Sequence, residues 1–150
     1  MIVCSRVNSG SSDFQELIRA LDNYLAVING TANDFFTTFN KVDNINHVIV
    51  AYDGAIPVGC GAIKEYATDT MEVKRMFVPV EMRGKGIASA VLQELETWAR
   101  ELNYRRTILE TSKQLTPAIQ LYKKNGYNII SNYGQYEGVT SSVCFEKLLT

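Results

Sequence analysis

The sequence predicts an α/β (α+β) domain in which seven strands and four helices follow one another as β-α-α-β-β-β-α-β-α-β-β. Three observations predict it. Short runs rich in Val, Ile, Thr and aromatic residues recur between turn-forming residues, as strands do. Two longer stretches carry apolar residues at the three- and four-residue spacing of a helix packed on one side. A loop with two glycines joins a strand-like run to the second of these stretches.

Residues 2–7 read as a first strand. Residues 13–28 then carry Phe14, Leu17, Ile18, Leu21, Leu25 and Ile28 at helical spacing, with Ser11 or Ser12 as cap and Asn29-Gly30 as stop. Residues 32–40, with Phe35, Phe36 and Phe39, predict a second, short helix. Residues 47–52 and 57–65 flank Asp53-Gly54 and read as a hairpin, and residues 70–78 as the next strand. Ala88, Val91, Leu92, Leu95, Trp98, Ala99 and Leu102 mark one face of a long helix over 88–102. A strand at 106–111, a helix at 117–125 stopped by Gly126, and strands at 127–131 and 142–149 complete the order. A loop rich in glycine and tyrosine, 132–138, joins the last two strands.

Composition narrows the function classes. The chain has 150 residues, the usual size of one domain, so a single domain over 1–150 is expected. A net charge of −1 gives no basic field for nucleic acid or an anionic membrane surface. No apolar run approaches the ~18 residues of a membrane span, and the N-terminus does not read as a signal peptide. Cys4, Cys60 and Cys144 are odd in number and lack Cys-x-x-Cys spacing, and His47 is the only histidine. That pattern fits a cytoplasmic protein without a disulfide framework or a metal site.

The most informative stretch runs from Val78 through Arg83, Gly84, Lys85 and Gly86 to Ala88. Two glycines one residue apart let the backbone aim its amides at one point, and the following helix adds its unpaired N–H groups and positive dipole end. This is a cradle for a phosphate or pyrophosphate. A nucleotide-triphosphate loop would need Lys then Ser or Thr after its second glycine, but Ile87 and Ala88 follow Gly86. A dinucleotide fingerprint would need a third glycine where Ser89 stands.

What remains, Arg-x-x-Gly-x-Ala over 83–88, resembles the acyl-CoA loop of the GNAT superfamily of N-acetyltransferases. A second segment, Ala118-Ile119 followed by Leu121-Tyr122 and Asn125-Gly126-Tyr127, resembles the Ala-x-x-Leu-Tyr-x-x-x-Gly-Phe/Tyr segment of that family. The two stand in the family's order, and the element order matches over essentially the whole chain. The resemblance implies a mixed central sheet of about seven strands flanked by helices. It implies acetyl-CoA as cosubstrate, with its pantetheine along Met76, Phe77 and Val78 and its pyrophosphate on the amides of Arg83, Gly84, Lys85, Gly86, Ile87 and Ala88. The side chains of Arg83 and Lys85 either meet phosphate or are solvated.

The same resemblance implies Tyr122 as the acid for the departing thiolate, the alternative being a tyrosine that only packs. A tyrosine near pKa ~10 is protonated at neutral pH and able to donate to a thiolate. Glu72, on the strand leading to the loop, is the candidate base, six residues before Val78 and at the same parity. Glu110 is its rival, and water a third route. A backbone N–H at Phe77 or Val78 would hold the oxyanion. The expected activity is transfer of acetyl to a primary amine of a small molecule or amino acid, by direct attack in a ternary complex. The competing reading is a non-catalytic acyl-CoA-binding module, and a protein amine is the other acceptor left open. Asp22, Asn23, Tyr24, Asn29, Asp34, Tyr133, Tyr136 and Glu137 lie in the segments expected to face the acceptor. A homodimer through the last strand is compatible with the sequence.

Overall fold

The computed structural model describes residues 1–29 and 45–150. Its strands are β1 (Ile2–Val7), β2 (His47–Asp53), β3 (Ile56–Ala67), β4 (Thr70–Phe77), β5 (Arg106–Ser112), β6 (Asn128–Ile130) and β7 (Ser142–Leu148). Its described helices are α1 (Ser12–Asn29), α2 (Ile87–Glu101) and α3 (Thr116–Lys124). The helix expected at 32–40 lies outside the described residues, and so does Asp34. The strands form one mixed sheet in the order β1-β2-β3-β4-β5-β7-β6. Among the described strands only β4 and β5 run parallel; every other pairing is antiparallel.

Helices cover both faces, which is why the central strands are apolar on both sides. Along β2, Val48 and Val50 face α1 and pack with Phe14, Leu17, Ile18 and Leu21. Ile49 and Ala51 face the other way, toward Val91, Leu92, Leu95 and Ala99 of α2. Each fully buried aliphatic side chain of this kind contributes about 1.5–3 kcal/mol. The close fit depends on Gly61, where a Cβ would lie 2.5 Å from Met76 Sδ and 2.9 Å from Leu95 Cδ1. Gly61→Ala is expected to cost about 1–3 kcal/mol in chemical denaturation. An unchanged midpoint would mean that α2 does not press this closely on β3.

Four expectations need correction. The hairpin pairs Asp53 with Ile56, so Gly54 and Ala55 make the turn and Asp53 ends the strand. β6 is shorter than 127–131, because Tyr127 turns inward; its hydroxyl is 2.8 Å from Thr107 Oγ1 and donates to Glu96 Oε2 at 3.0 Å. β7 is paired on both sides, by β5 and β6, so among the described strands the sheet edges are β1 and β6. The fourth bears on function. Between β3 and β4 the register steps from Cys60↔Phe77 to Ala62↔Lys74, two residues against three. The extra residue is Arg75, at a left-handed φ of 59°. This bulge reverses the alternation, so Glu72 and Lys74 share a face with Phe77, and Val78 lies on the opposite one. The parity expected for Glu72 and Val78 assumed an unbroken strand.

Candidate active site

The parallel pair β4–β5 is joined only at Thr70↔Arg106, Met71↔Thr107 and Glu72↔Ile108. Past Glu72 the edge of β4 has no strand partner on that side, while β5 stays paired with β7 to Ser142. Two cavities occupy the opening. The larger, about 490 Å³, is lined by Met76, Phe77, Val78, Arg83, Gly84, Gly86, Ile87, Ala88 and, from α3, Ala118, Leu121 and Tyr122. The structure thus brings together all the residues expected to hold the donor except Lys85, which is exposed and outside the lining.

The larger cavity fits a phosphate at its α2 end. Gly84 and Gly86 have φ of 82° and 78°, and a Cβ on either would meet nothing within 4 Å. The backbone therefore presents itself bare to an open space. Gly86 caps α2 without any side-chain hydrogen bond. The first helical N–H bond runs from Ala90 to the Gly86 carbonyl, so the amides of Ile87, Ala88 and Ser89 precede the ladder and point out of the helix end. Arg83 is committed elsewhere. Its Nε donates to the Val78 carbonyl at 2.9 Å, and its guanidinium lies 4.7 Å from the Tyr24 ring centre. It ties α1 to the loop and makes Tyr24 part of the cavity wall.

The smaller cavity, about 100 Å³, is lined by Glu72 to Met76 on β4, Glu110 to Ser112 on β5, Leu21 and Leu25 on α1, Leu115, Tyr122 and Tyr136. Tyr122 lines both cavities. Its ring is buried, 5.8 Å from the ring centres of Tyr127 and of Phe145. Burial, aided by the negative charge of Glu110, pushes its hydroxyl well above the ordinary tyrosine pKa, so it keeps its proton.

The two carboxylates differ. Glu72 accepts a hydrogen bond from the Tyr133 hydroxyl at 2.6 Å and lies 3.7 Å from Lys74 Nζ. Burial pushes Glu110 up to about 7; a 2.6 Å hydrogen bond from Ser142 and the charge of Lys74 pull it down, and Glu72 pushes it up. Burial lowers the pKa of Lys74, and its two carboxylate neighbours oppose that. Tyr133 and Tyr136 come from the loop after β6, their ring centres 5.7 Å apart, with Tyr136 fully buried.

Of the other acceptor-side residues, Asp22 bonds Arg75 at 3.1 Å, whereas Asn23 and Glu137 are exposed. Sequence reasoning missed Lys74 and Arg75 as cavity residues. Lys74 does pair with Glu72, but the bulge turns Arg75 to α1. A charged residue directly before an apolar strand end was the available signal, yet a non-glycine bulge has no reliable sequence mark. Cys60 and Cys144 are buried and Cys4 half-buried, and none is disulfide-bonded. Among the described residues no helix is long and apolar enough to cross a membrane.

Residues 15–127 match the family described as acetyltransferase (GNAT). The chain is 34% identical over 141 residues to an IAA acetyltransferase of Azospirillum brasilense, covering 89% of each. It is 34% identical over 101 residues to the N-acetyltransferase YsnE of Bacillus subtilis, covering 66% of this chain and 67% of that one. A solved acyl-CoA N-acyltransferase structure from Klebsiella pneumoniae superposes with a TM-score of 0.85 at 25% identity, over 100% of this chain and 99% of the other. A two-cavity cleft between parting parallel strands, a bare glycine loop at a helix start and these likenesses lead to one conclusion: the chain belongs to the GNAT acetyltransferase family.

Proposed function

We propose that this acetyltransferase moves acetyl from acetyl-CoA to the primary amine of a small molecule, by direct attack in a ternary complex. The observation that carries this reading is Tyr122, which lines both cavities and so borders donor and acceptor at once. Acetyl-CoA would lie in the larger cavity. Its pyrophosphate would take the amides around Gly84 and Gly86, and its pantetheine the unpaired edge of β4 at Met76, Phe77 and Val78. A β4 amide on that edge would also receive the negative charge that develops on the thioester oxygen.

The acceptor amine would occupy the smaller cavity, lined by Glu72 and Glu110. Its lone pair forms the new C–N bond as the C–S bond breaks. The Tyr122 hydroxyl gives its proton to the departing sulfur, and solvent later restores it. The same burial that strengthens the tyrosine's hold on its proton raises the basicity of a thiolate beside it, so the transfer stays matched. The amine proton goes to a carboxylate. Glu110 is the better base of the two, since burial pushes it up to about 7, near the pH at which it would work. Glu72 has one oxygen engaged by Tyr133 and a lysine near the other. Its role in this reading is to attract the ammonium and steady the site, and Glu72→Gln is the variant that tests it as base.

The testing experiment is acetyl-CoA-dependent thiol release across amino acids, polyamines, aminoglycosides and short peptides. Gly86→Val is expected to weaken acetyl-CoA binding by about tenfold or more. It forces a branched residue to φ 78° and fills the space over the loop. Unaltered donor affinity in that variant would remove the loop from the donor site. Tight acetyl-CoA binding with no release to any amine would favour an acyl-CoA-binding module instead.

A further inference from the structure

The smaller cavity holds both signs of charge, and Arg75 is a member that no step above uses. Resting on the transferase reading, we infer that the acceptor carries a carboxylate beside its amine, as an α-amino acid does, and that Arg75 reads that carboxylate.

Four observations converge on this. Arg75 lines the cavity, and its side chain is only 4% exposed. Asp22 accepts a hydrogen bond from its Nη1 at 3.1 Å, but its buried Nε has no hydrogen-bond partner among the described residues. Buried polar groups are bonded in the great majority of cases, so an orphaned donor on a cavity-lining cation marks a missing acceptor. A guanidinium presents its donors as a fork that matches a carboxylate, which Asp22 engages only at one tip. Asp22 is itself 43% exposed, so water weakens its hold and leaves Arg75 open to a better-buried anion.

The backbone agrees. Arg75 stands at φ 59°, where glycine would be unstrained and arginine costs on the order of 1 kcal/mol. Strain of this kind persists where the side chain's placement matters, and here the bulge turns the guanidinium to the same face as Lys74 and Glu72. The charge layout agrees as well. Glu72 and Glu110 suit an ammonium, while Lys74 and Arg75 stand in the same 100 Å³ and repel a second cation. A polyamine would set positive charge against both. A zwitterion satisfies the two sets together. Leu21 and Leu25 of α1 supply an apolar wall for a short aliphatic side chain.

The test uses the full chain with matched acceptors: alanine, threonine, methionine and leucine, each beside its amide and beside the amine that lacks the carboxyl group. Thiol release gives kcat/KM, and calorimetry gives acceptor affinity for the protein–CoA complex. Free amino acids are expected to exceed their amides and amines by about 10–100-fold, the range for a charged hydrogen bond to a buried group. Arg75→Gln should collapse that ratio with donor affinity kept. Asp22→Asn, at a half-exposed helix position, should lower KM for the amino acid and leave the amine's unchanged. A purely structural arginine would give neither selective effect. Equal or better use of the amides and amines by the parent protein overturns the inference. So does failure of every amino acid both to react and to bind. If acetyl-CoA does not bind the parent protein, the transferase reading fails first and the inference falls with it, a result that donor titration separates from the others.

Discussion

Tyr122→Phe is expected to lower kcat by about 10²–10³-fold, the usual worth of a positioned general acid, while the dissociation constant for acetyl-CoA changes less than about twofold. The variant should fold as well as the parent or slightly better. Tyr122 is packed by Tyr127 and Phe145, and those ring contacts survive the change. What disappears is one hydroxyl, on a side chain that lines both cavities. Removing such a group is close to neutral. The predicted signature is therefore lost turnover beside kept donor affinity and a kept melting temperature. Unchanged turnover would make Tyr122 a core residue and leave the sulfur to solvent. Lost turnover together with lost stability would point to packing instead.

Glu110→Gln separates catalysis from stability by pH. In the folded chain burial pushes Glu110 up to about 7, against about 4.5 for the free side chain. Between those two values the folded state binds more protons at this group than the unfolded state does. Stability from this group is therefore complete below about 4.5, declines as pH rises, and is gone above about 7. The full difference corresponds to roughly 3 kcal/mol. Glutamine cannot ionise, and its amide oxygen can still accept the hydrogen bond that Ser142 donates. The variant should thus be more stable than the parent at pH 8 and equal to it near pH 4.5, measured by denaturant unfolding. In the parent, kcat/KM should rise through a pKa near 7; in Glu110→Gln that limb should be lost, with activity down about 10²-fold or more. If the limb survives in Glu110→Gln and vanishes in Glu72→Gln, Glu72 is the base.

The fold was legible because its elements obey local rules. The α2 stripe from Val91 to Ala99 faces the core as its spacing requires, and the strand runs were found to within a residue or two. The glycine loop was legible for the same reason. Positive φ at Gly84 and Gly86 and a helix start follow from residue type and order. The acceptor side was not legible to that depth. Strand parity fails where Arg75 adds a residue, since whether a non-glycine adopts a left-handed conformation depends on tertiary packing. The bond from Tyr133 to Glu72 spans 61 positions and follows from how the 132–138 loop folds back, which no local pattern encodes. Lys85, placed between the two glycines in the sequence, is exposed and lies outside the cavity lining.

The parting of β4 from β5 after Glu72, with the bulge at Arg75 just beyond, has a consequence for how such a chain can diversify. It divides one strand into two segments: on the proposed function, Met76 to Val78 would meet the donor and Glu72 to Arg75 the acceptor. A bulge absorbs small shifts of register and twist, so new side chains upstream need not disturb the backbone from Met76 to Val78. Substitutions at 72, 74 and 75 should thus trade one acceptor for another with the donor half left intact. A deletion of residue 75 should do what no substitution does, returning the strand to strict alternation with Glu72, Lys74 and Phe77 still on one face while the arginine is lost from the cavity.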